Sequence, residues 1–372
     1  MSVYEYEVGL HKNELDTPAL LIDLPAMERN LHKMAEYFQG RQVRLRPHVK
    51  LHKATPILAH KQLQAGAIGL TCAKLAEAEV LAAAGIKDIL IANQVVGDRK
   101  IRRLINLAAY TDVMVVVDSY ENVAELSQAA QAKGAQLRVL VEVDIGNNRC
   151  GVAPFEPALA LCRVVSQSPG LRFMGLMAYD GHCTFQVKDC EREECARKAN
   201  QVLVDTRAYI EKAGLPVEIA SGGGTFTYKI VSEMSGITEI QAGTYLLMDT
   251  AFKERGVTDF ECALSVLATV ISRPPRLGAE SMAVIDIGRK GIDPFFGFPE
   301  VKIPAGATLY SMPQEHSRID LQGAAHDLRV GDKVELWVRD ANGTINLYDK
   351  FYAIRDEIVE AVWEIPGRGK AT

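Results

Sequence analysis

A rhythm organises most of this chain. From residue 43 to residue 247, short and almost continuously apolar runs alternate with segments whose apolar residues recur at helical spacing. The runs fall at 43–49, 67–72, 88–92, 112–118, 137–144, 172–178, 217–221 and 239–247. The helical segments lie at 54–64, 74–84, 98–109, 120–133, 155–167 and 191–213, with a weaker one near 227–234. Runs such as Val113-Met114-Val115-Val116-Val117 lack polar alternation, as expected of strands covered by protein on both faces. Eight strands alternating with helices predict an α/β fold, a (β/α)8 TIM-type barrel. An open doubly wound sheet is the competitor, and the count favours the barrel.

The texture changes on either side of that rhythm. Asp16-Thr17-Pro18 reads as a turn before a short strand, Ala19-Leu20-Leu21-Ile22-Asp23, and residues from Pro25 to Phe38 have helical spacing. Beyond residue 255 strand-like runs dominate, at 264–271, 282–287, 307–311, 333–338, 344–354 and 357–364, separated by Gly, Pro and Asp-Ala-Asn-Gly turns. Three segments follow: an N-terminal strand at 1–24 completing a β domain, a barrel at 25–255, and a C-terminal mostly-β domain at 256–372.

With 42 Lys and Arg against 47 Asp and Glu, the net charge of -5 leaves no basic face for nucleic acid or a membrane surface. No apolar run approaches the roughly 18 residues a membrane span needs, and the N-terminus lacks a signal peptide's basic and apolar regions. Seven cysteines, scattered and without a CxxC pair, point to reduced thiols in a cytoplasmic protein.

Barrel enzymes carry their chemistry at the C-terminal ends of the strands. The first run ends in Arg46-Pro47-His48-Val49-Lys50-Leu51-His52-Lys53, a dense cationic cluster for the end of a buried strand. A lysine in a desolvated, cationic setting has a lowered pKa and becomes an amine nucleophile suited to Schiff-base chemistry. The fifth run ends in Asp144-Ile145-Gly146-Asn147-Asn148-Arg149-Cys150-Gly151, and the sixth in Tyr179-Asp180-Gly181-His182. The seventh ends in Ser221-Gly222-Gly223-Gly224-Thr225, and the eighth carries Ala242-Gly243-Thr244-Tyr245. Consecutive glycines opening a helix let backbone N–H groups approach a phosphate. A phosphate site and an amine nucleophile together point to pyridoxal 5'-phosphate.

These motifs, with Asp16-Thr17-Pro18, Glu315-His316 and Asn346-Leu347-Tyr348-Asp349, run in order along nearly the whole chain. In them the sequence resembles the D-threonine aldolase and D-serine dehydratase family of pyridoxal-phosphate enzymes, which share the alanine-racemase-type barrel. The resemblance implies that Lys50, not Lys53, is the Schiff-base lysine, and that Gly223, Gly224, Thr225, Gly243 and Thr244 hold the phosphate. It makes Arg149 and Tyr179 candidates to contact the ring or the substrate carboxylate, and His48 and His52 candidates to orient the lysine or the substrate. It implies a homodimer acting on small D-amino acids.

One motif departs from the family. Its members carry a metal site of the form Pro-x-His-x-Cys/Asp-x-Thr-x-Asn-Leu-Tyr, and here the ligand positions fall on Asp340 and Asn342. These are hard oxygen donors, suited to Mg, Mn or Ca more than to Zn. The competing and favoured reading of Asp340-Ala341-Asn342-Gly343 is a hairpin turn. The resemblance implies, as the leading function, a lyase that cleaves a D-β-hydroxy-α-amino acid into glycine and an aldehyde, with His316 a candidate base for the hydroxyl proton. The alternatives are a D-serine or D-3-hydroxyaspartate dehydratase giving a keto acid and ammonia, a racemase, and a non-catalytic pyridoxal-phosphate-binding protein. The extra β domain argues against the last.

Overall fold

The computed structural model describes residues 7–186, 188–274 and 280–372; residues 1–6 of the expected N-terminal segment lie outside them. Contacts group the chain into two compact units, one built from 34–50, 54–243 and 370–372, the other from 1–33, 51–53 and 244–369.

After β1 (Ala19–Asp23) and α1 (Leu24–Phe38), the barrel begins with β2 (Arg44–Leu45) and α2 (Pro56–Gln64). It continues through β3 (Leu70–Cys72), α3 (Leu75–Ala83), β4 (Ile89–Gln94), α4 (Asp98–Ala108), β5 (Val113–Val117) and α5 (Tyr120–Lys133). The remaining elements are β6 (Leu137–Glu142), α6 (Glu156–Gln167), β7 (Leu171–Met177), α7 (Asp189–Lys212), β8 (Ile219–Gly222), α8 (Tyr228–Ser232) and β9 (Glu239–Ile240). Among the described residues these eight strands pair in parallel in the order β2-β9-β8-β7-β6-β5-β4-β3. The ring then closes. Ile68 N–H donates to Leu45 O, Thr71 N–H to Pro47 O and Val49 N–H to Thr71 O, and His48 bridges Thr71 in parallel. The open-sheet competitor is thereby excluded.

The reasons for these elements are local. All five residues of β5 are buried, because one face meets the barrel interior and the other the helices. Helix α4 buries Ile101, Leu104, Ile105 and Leu107 at i, i+3, i+4 spacing and turns Arg99, Lys100, Arg102 and Arg103 away. Helix α5 starts on a Ser119 cap and ends on Gly134 in the left-handed conformation.

Alternate residues along the strands stack in layers inside the barrel. At the lower rim Arg46, Glu239, Asp88 and Arg138 form an ion-pair cluster. Above it, Leu90, Met114, Val116, Leu140, Met174 and Met177 make an apolar plug. Beyond the plug residues of β4, β5 and β6 come Gln94, Asp118 and Glu142, all polar, and Lys50 ends the extension of β2. That upper layer is the candidate site.

The second unit is built on α9 (Thr250–Glu254), β10 (Leu264–Ser272), β11 (Met282–Ile285), β12 (Val301–Ile303), β13 (Ala307–Ser311) and β14 (Ser317–Leu321). It ends with β15 (Lys333–Trp337), α10 (Ala341–Ile345), β16 (Lys350–Arg355) and β17 (Ile358–Glu364). The main strand order is β13-β14-β11-β10-β1-β16-β17, with β15 pairing β10 and β12. β1 lies antiparallel to β10 and parallel to β16, so the N-terminal strand is an integral part of this sheet. Leu15, Ala19, Leu21, Leu267, Tyr352, Ile354 and Val359 form its core cluster.

Three sequence expectations are corrected. The eighth barrel strand stops at Ile240, and the chain enters a 3-10 turn at Thr244–Leu246, where Thr244 O accepts Met248 N–H at 2.8 Å instead of pairing with a strand. The segment Asp340-Ala341-Asn342-Gly343 is no hairpin turn. Asp340 accepts Gly343 N–H at 3.1 Å and caps α10, so the expected strand at 344–354 shrinks to β16. Finally, Cys183 and Cys195 form a disulfide, their Cα atoms 5.5 Å apart, because the turn at Gly181–Phe185 folds back onto the start of α7. Cys72, Cys150, Cys162, Cys190 and Cys262 are free thiols.

Candidate active site

Lys50 sits where the extension of β2 runs out. His48, two residues back, accepts the Lys50 backbone N–H on Nδ1 at 3.2 Å. The chain then reverses through Lys53 and Ala54, both at left-handed φ (51° and 54°), while His52 is fully buried. Solvent reaches the Lys50 side chain, but protein atoms crowd around it above the apolar plug. Desolvation lowers its pKa, the Arg149 charge lowers it further, and Glu77 opposes the shift only in part.

Tyr179, just past β7, brings the predicted residues together. Lys50 Nζ lies 5.9 Å from its ring centroid and the Arg149 guanidinium carbon 5.2 Å. Burial pushes the Tyr179 phenol up, as does Asp180 beside it, so it is a neutral donor at physiological pH.

Arg149 is held by a built loop. Asp144 Oδ1 accepts the N–H groups of Gly146 (3.0 Å) and Asn148 (3.1 Å) in an Asx-type turn. Gly151 has φ +103°, and a Cβ there would fall 2.6 Å from Asp144 N, so only glycine closes the loop. Beneath it Glu142, 3% exposed, lies 3.9 Å from Arg149 Nη2 and accepts a short hydrogen bond from Gln94 Nε2. The same amide donates to Asp118 Oδ2 at 3.1 Å, which also takes Gly151 N–H. Burial raises the Glu142 pKa.

The glycine-rich turn after β8 has a different logic at each position. Gly223 needs its left-handed φ of +66°. Gly224 needs neither a special φ nor internal space: the nearest atom to its Cβ direction is Tyr179 Cε2 at 3.9 Å. That direction, towards the tyrosine that faces Lys50, is left open. Thr225 follows, buried. Gly243 is the opposite case, since a Cβ there would strike His48 O at 2.1 Å; its glycine serves strand packing.

The other sequence candidates lie in the β-rich unit. Thr244 is buried at the start of its 3-10 turn, and His316 is exposed ahead of β14. Asp340 is 8% exposed and committed to the α10 cap, and burial raises its pKa. Among the described residues, two groups bring three His, Cys or carboxylate ligand atoms within 4.8 Å, namely Asp118, Glu142 and Cys150, and His182, Cys183 and Cys195. Neither includes Asp340. In the first Gln94 already bridges the carboxylates, and in the second the sulfurs are bonded to each other.

Residues 22–251 match the family model described as the alanine racemase N-terminal domain, and residues 263–354 the putative serine dehydratase domain. A D-threonine aldolase of an Arthrobacter species is 37% identical over 95% of this chain and 93% of its own. A crystal structure of D-threonine aldolase from Filomicrobium marinum superposes with a TM-score of 0.92 at 36% identity, covering 98% of this chain and 99% of that one. The chain belongs to the D-threonine aldolase and D-serine dehydratase family. A D-threo-3-hydroxyaspartate dehydratase of a Delftia species, 31% identical over 87% of this chain and 89% of its own, lies in the same family.

As a member of that family the protein is a pyridoxal-phosphate-dependent lyase, and the residues present fit the cofactor. A lysine of lowered pKa, a tyrosine face beside it, an arginine over that face and a glycine with an open Cβ direction all lie in the barrel unit. Sequence reasoning missed the supporting groups Gln94, Asp118 and Glu142, which meet one another from 24 and 48 residues apart and lie in no recognisable motif.

Proposed function

We propose that the protein cleaves D-configured β-hydroxy-α-amino acids by a retro-aldol reaction, releasing glycine and an aldehyde, with Lys50 carrying pyridoxal phosphate. The observation that supports this most directly is the setting of Lys50. Burial and Arg149 lower its pKa, which favours the unprotonated amine, and an unprotonated amine is what attacks an aldehyde. When bound, the cofactor supplies the electron sink that makes breaking the Cα–Cβ bond affordable.

The chain's own residues supply the rest. Gly223, Gly224 and Thr225, with Gly243 and Thr244, are our choice for the phosphate. Tyr179 offers a flat face and a neutral hydroxyl, and Arg149 offers a fixed cation for the ring or the substrate carboxylate. His48 fixes the backbone from which Lys50 projects. His316 is our candidate to take the β-hydroxyl proton. Asp340 is assigned to capping, which leaves Asn342 without a strong partner for a divalent ion. The finer setting we propose is a cytoplasmic homodimer acting on small D-amino acids, with neither nucleic acid nor membrane as partner; among the described residues no helix is long and apolar enough to cross a membrane.

Dehydration to a keto acid and ammonia is the second reading, favoured by the Delftia relative. A product assay separates the two. Protein treated with chelator, then supplied with Mg, Mn, Ca or Zn in turn, is given D-threonine, D-serine and D-3-hydroxyaspartate. Glycine plus an aldehyde is the expected outcome, and a keto acid plus ammonia from all active substrates refutes the aldolase assignment.

A further inference from the structure

Next to Tyr179 lies a fully buried carboxyl group that the chemistry above does not use. Asp180 has 0% exposure. Asn200, also at 0% and on α7, donates Nδ2 to Asp180 Oδ2 at 3.0 Å and to Ala196 O at 2.9 Å. The Thr227 hydroxyl, 1% exposed, bonds to the same carboxyl group. Asp180 Oδ1 has no partner among the described residues. Leaving a carboxyl group in such a place is costly.

Thr227 also reaches the glycine-rich turn. Its Oγ1 accepts Gly224 N–H at 3.1 Å, and its own N–H donates to Gly224 O at 3.0 Å. A hydroxyl that accepts one bond still has a proton to place, and among the described residues the carboxyl group it bonds is that of Asp180. The connection therefore runs from Asn200 through Asp180 and Thr227 to Gly224. Asp180 is at the same time the backbone neighbour of Tyr179, whose ring both Lys50 and Arg149 approach.

We propose that Asp180 is a positioning residue for the cofactor, holding the Gly223–Gly224–Thr225 turn through Thr227 and the Tyr179 ring through the adjoining peptide. One buried group thus fixes both the phosphate end and the ring end of the site. The inference rests on the reading of that turn as the phosphate site. Burial raises the Asp180 pKa, and the bonds from Thr227 and Asn200 pull it back, as expected of a carboxyl kept for its two partners.

The test is cofactor affinity of the resolved full-length protein, measured by absorbance and fluorescence titration with pyridoxal phosphate and, separately, with pyridoxal, which lacks the phosphate. Thr227→Val keeps the shape and removes the hydroxyl. It is expected to weaken pyridoxal phosphate by about ten- to a hundredfold and to leave pyridoxal nearly unchanged. Thr227→Ser restores the wild-type ratio. Asp180→Ala weakens both ligands, the phosphorylated one more, and adding Thr227→Val to it costs little further, because the two act in series. Equal weakening of both ligands by Thr227→Val, or fully additive costs in the double variant, overturns the relay. Gly224→Ala separates the underlying reading: its Cβ meets only Tyr179, at ordinary contact distance. If it leaves the ratio of the two affinities unchanged, the turn is not the phosphate site, and the proposal falls with that reading and not through Asp180. Circular dichroism of every variant shows that it is folded.

Discussion

Substituting Arg46 tests whether the lower charged layer, and not the lysine itself, holds the lysine-bearing strand in place. Arg46 Nε and Nη2 donate to the two oxygens of Glu239 at 3.0 and 2.8 Å, a forked pair between β2 and β9. Nη1 lies 3.0 Å from Asp88, which Arg138 also contacts at 2.7 Å. The arginine side chain is 3% exposed and the glutamate 5%. Gly69 leaves the slot: a Cβ there would sit 2.2 Å from Arg46 Nη1. Arg46→Met keeps most of the side-chain volume but strands Glu239 as a buried charge, whereas Asp88 retains Arg138. Removing one partner of a buried pair costs about 3–5 kcal/mol, while replacing both with apolar residues is often close to neutral. Arg46→Met is therefore expected to lose about 3–5 kcal/mol and the double variant Arg46→Met, Glu239→Met at most about 1 kcal/mol.

Hydrogen exchange at the bonds joining these strands reads the loss directly. Arg44 N–H donates to Thr238 O and Arg46 N–H to Ile240 O, both at 2.9 Å. At roughly tenfold per 1.4 kcal/mol, exchange through unfolding should speed up by about a hundredfold to several thousandfold in the single variant and return close to wild type in the double. Cofactor is held at one saturating concentration throughout, since bound ligand adds its own stability. A single variant within about 1 kcal/mol of wild type, or a double variant as unstable as the two singles summed, refutes the reasoning.

Other outcomes follow from the same geometry. Lys50→Ala should abolish the visible absorbance of bound cofactor, and an unchanged spectrum would reassign the lysine. Asp249, which caps α9 through Phe252 N–H and also holds Ala341 N–H, has its pKa pushed up to about 7 by burial, with Asp340 adding to the shift. The folded carboxyl then binds its proton more tightly than the unfolded one at its ordinary 3.8, so stability falls as pH rises from about 4 to about 7, by at most about 4 kcal/mol. Asp249→Asn should flatten that slope in urea titrations at several pH values, and an unaltered slope refutes it. Peptide mapping without reductant should recover one cross-linked pair, Cys183 with Cys195, and five titratable thiols; seven thiols would refute the bond. Asp340→Ala with Asn342→Ala should cost about 1 kcal/mol as a lost cap and leave turnover within a few-fold, whereas a hundredfold loss restored by added Mn or Mg would make the pair metal ligands.

The barrel was legible because buried parallel strands and amphipathic helices write themselves as different periods, and seven of the eight strand runs end within a few residues of where the chain pairs. The eighth did not, for a physical reason. Past the bond from His48 N–H to Ala242 O, Tyr245, Leu246 and Met248 are buried by packing and not by ladder pairing, and apolar content alone does not separate the two. Asp340-Ala341-Asn342-Gly343 misled in another way. The same aspartate that opens a turn also caps a helix, and the choice was made from outside the segment, by Asp249 holding Ala341 N–H and by Asp293, whose carboxylate fills the Cβ direction of Gly343. Beta strands such as β12 and β14, short and half exposed, carried too little pattern to stand out.

The cationic cluster from Arg46 to Lys53 divides its labour along the extension of β2 and the turn that ends it. Arg46, His48 and Lys50 alternate in the sequence, but Arg46 and His48 lie on the extension of β2 and Lys50 in the turn that ends it. Arg46 goes to the lower rim, where its charge is spent on Glu239 and Asp88. His48 bonds the backbone of Lys50, and Lys50 alone stands above the apolar plug. The same division recurs on β6, where Arg138 joins the lower ion pairs, Leu140 the plug and Glu142 the upper layer beneath Arg149. Charge at the bottom therefore specifies register, since a one-residue slip of either strand would bury an arginine against the helices. Desolvation and Arg149 lower the Lys50 pKa against the opposing charge of Glu77, and the plug lies between that lysine and the lower ion pairs. Arg46→Met should accordingly destabilise the barrel without moving the pH dependence of cofactor binding. A shifted pH profile in that variant would show that the two charged layers communicate through the plug.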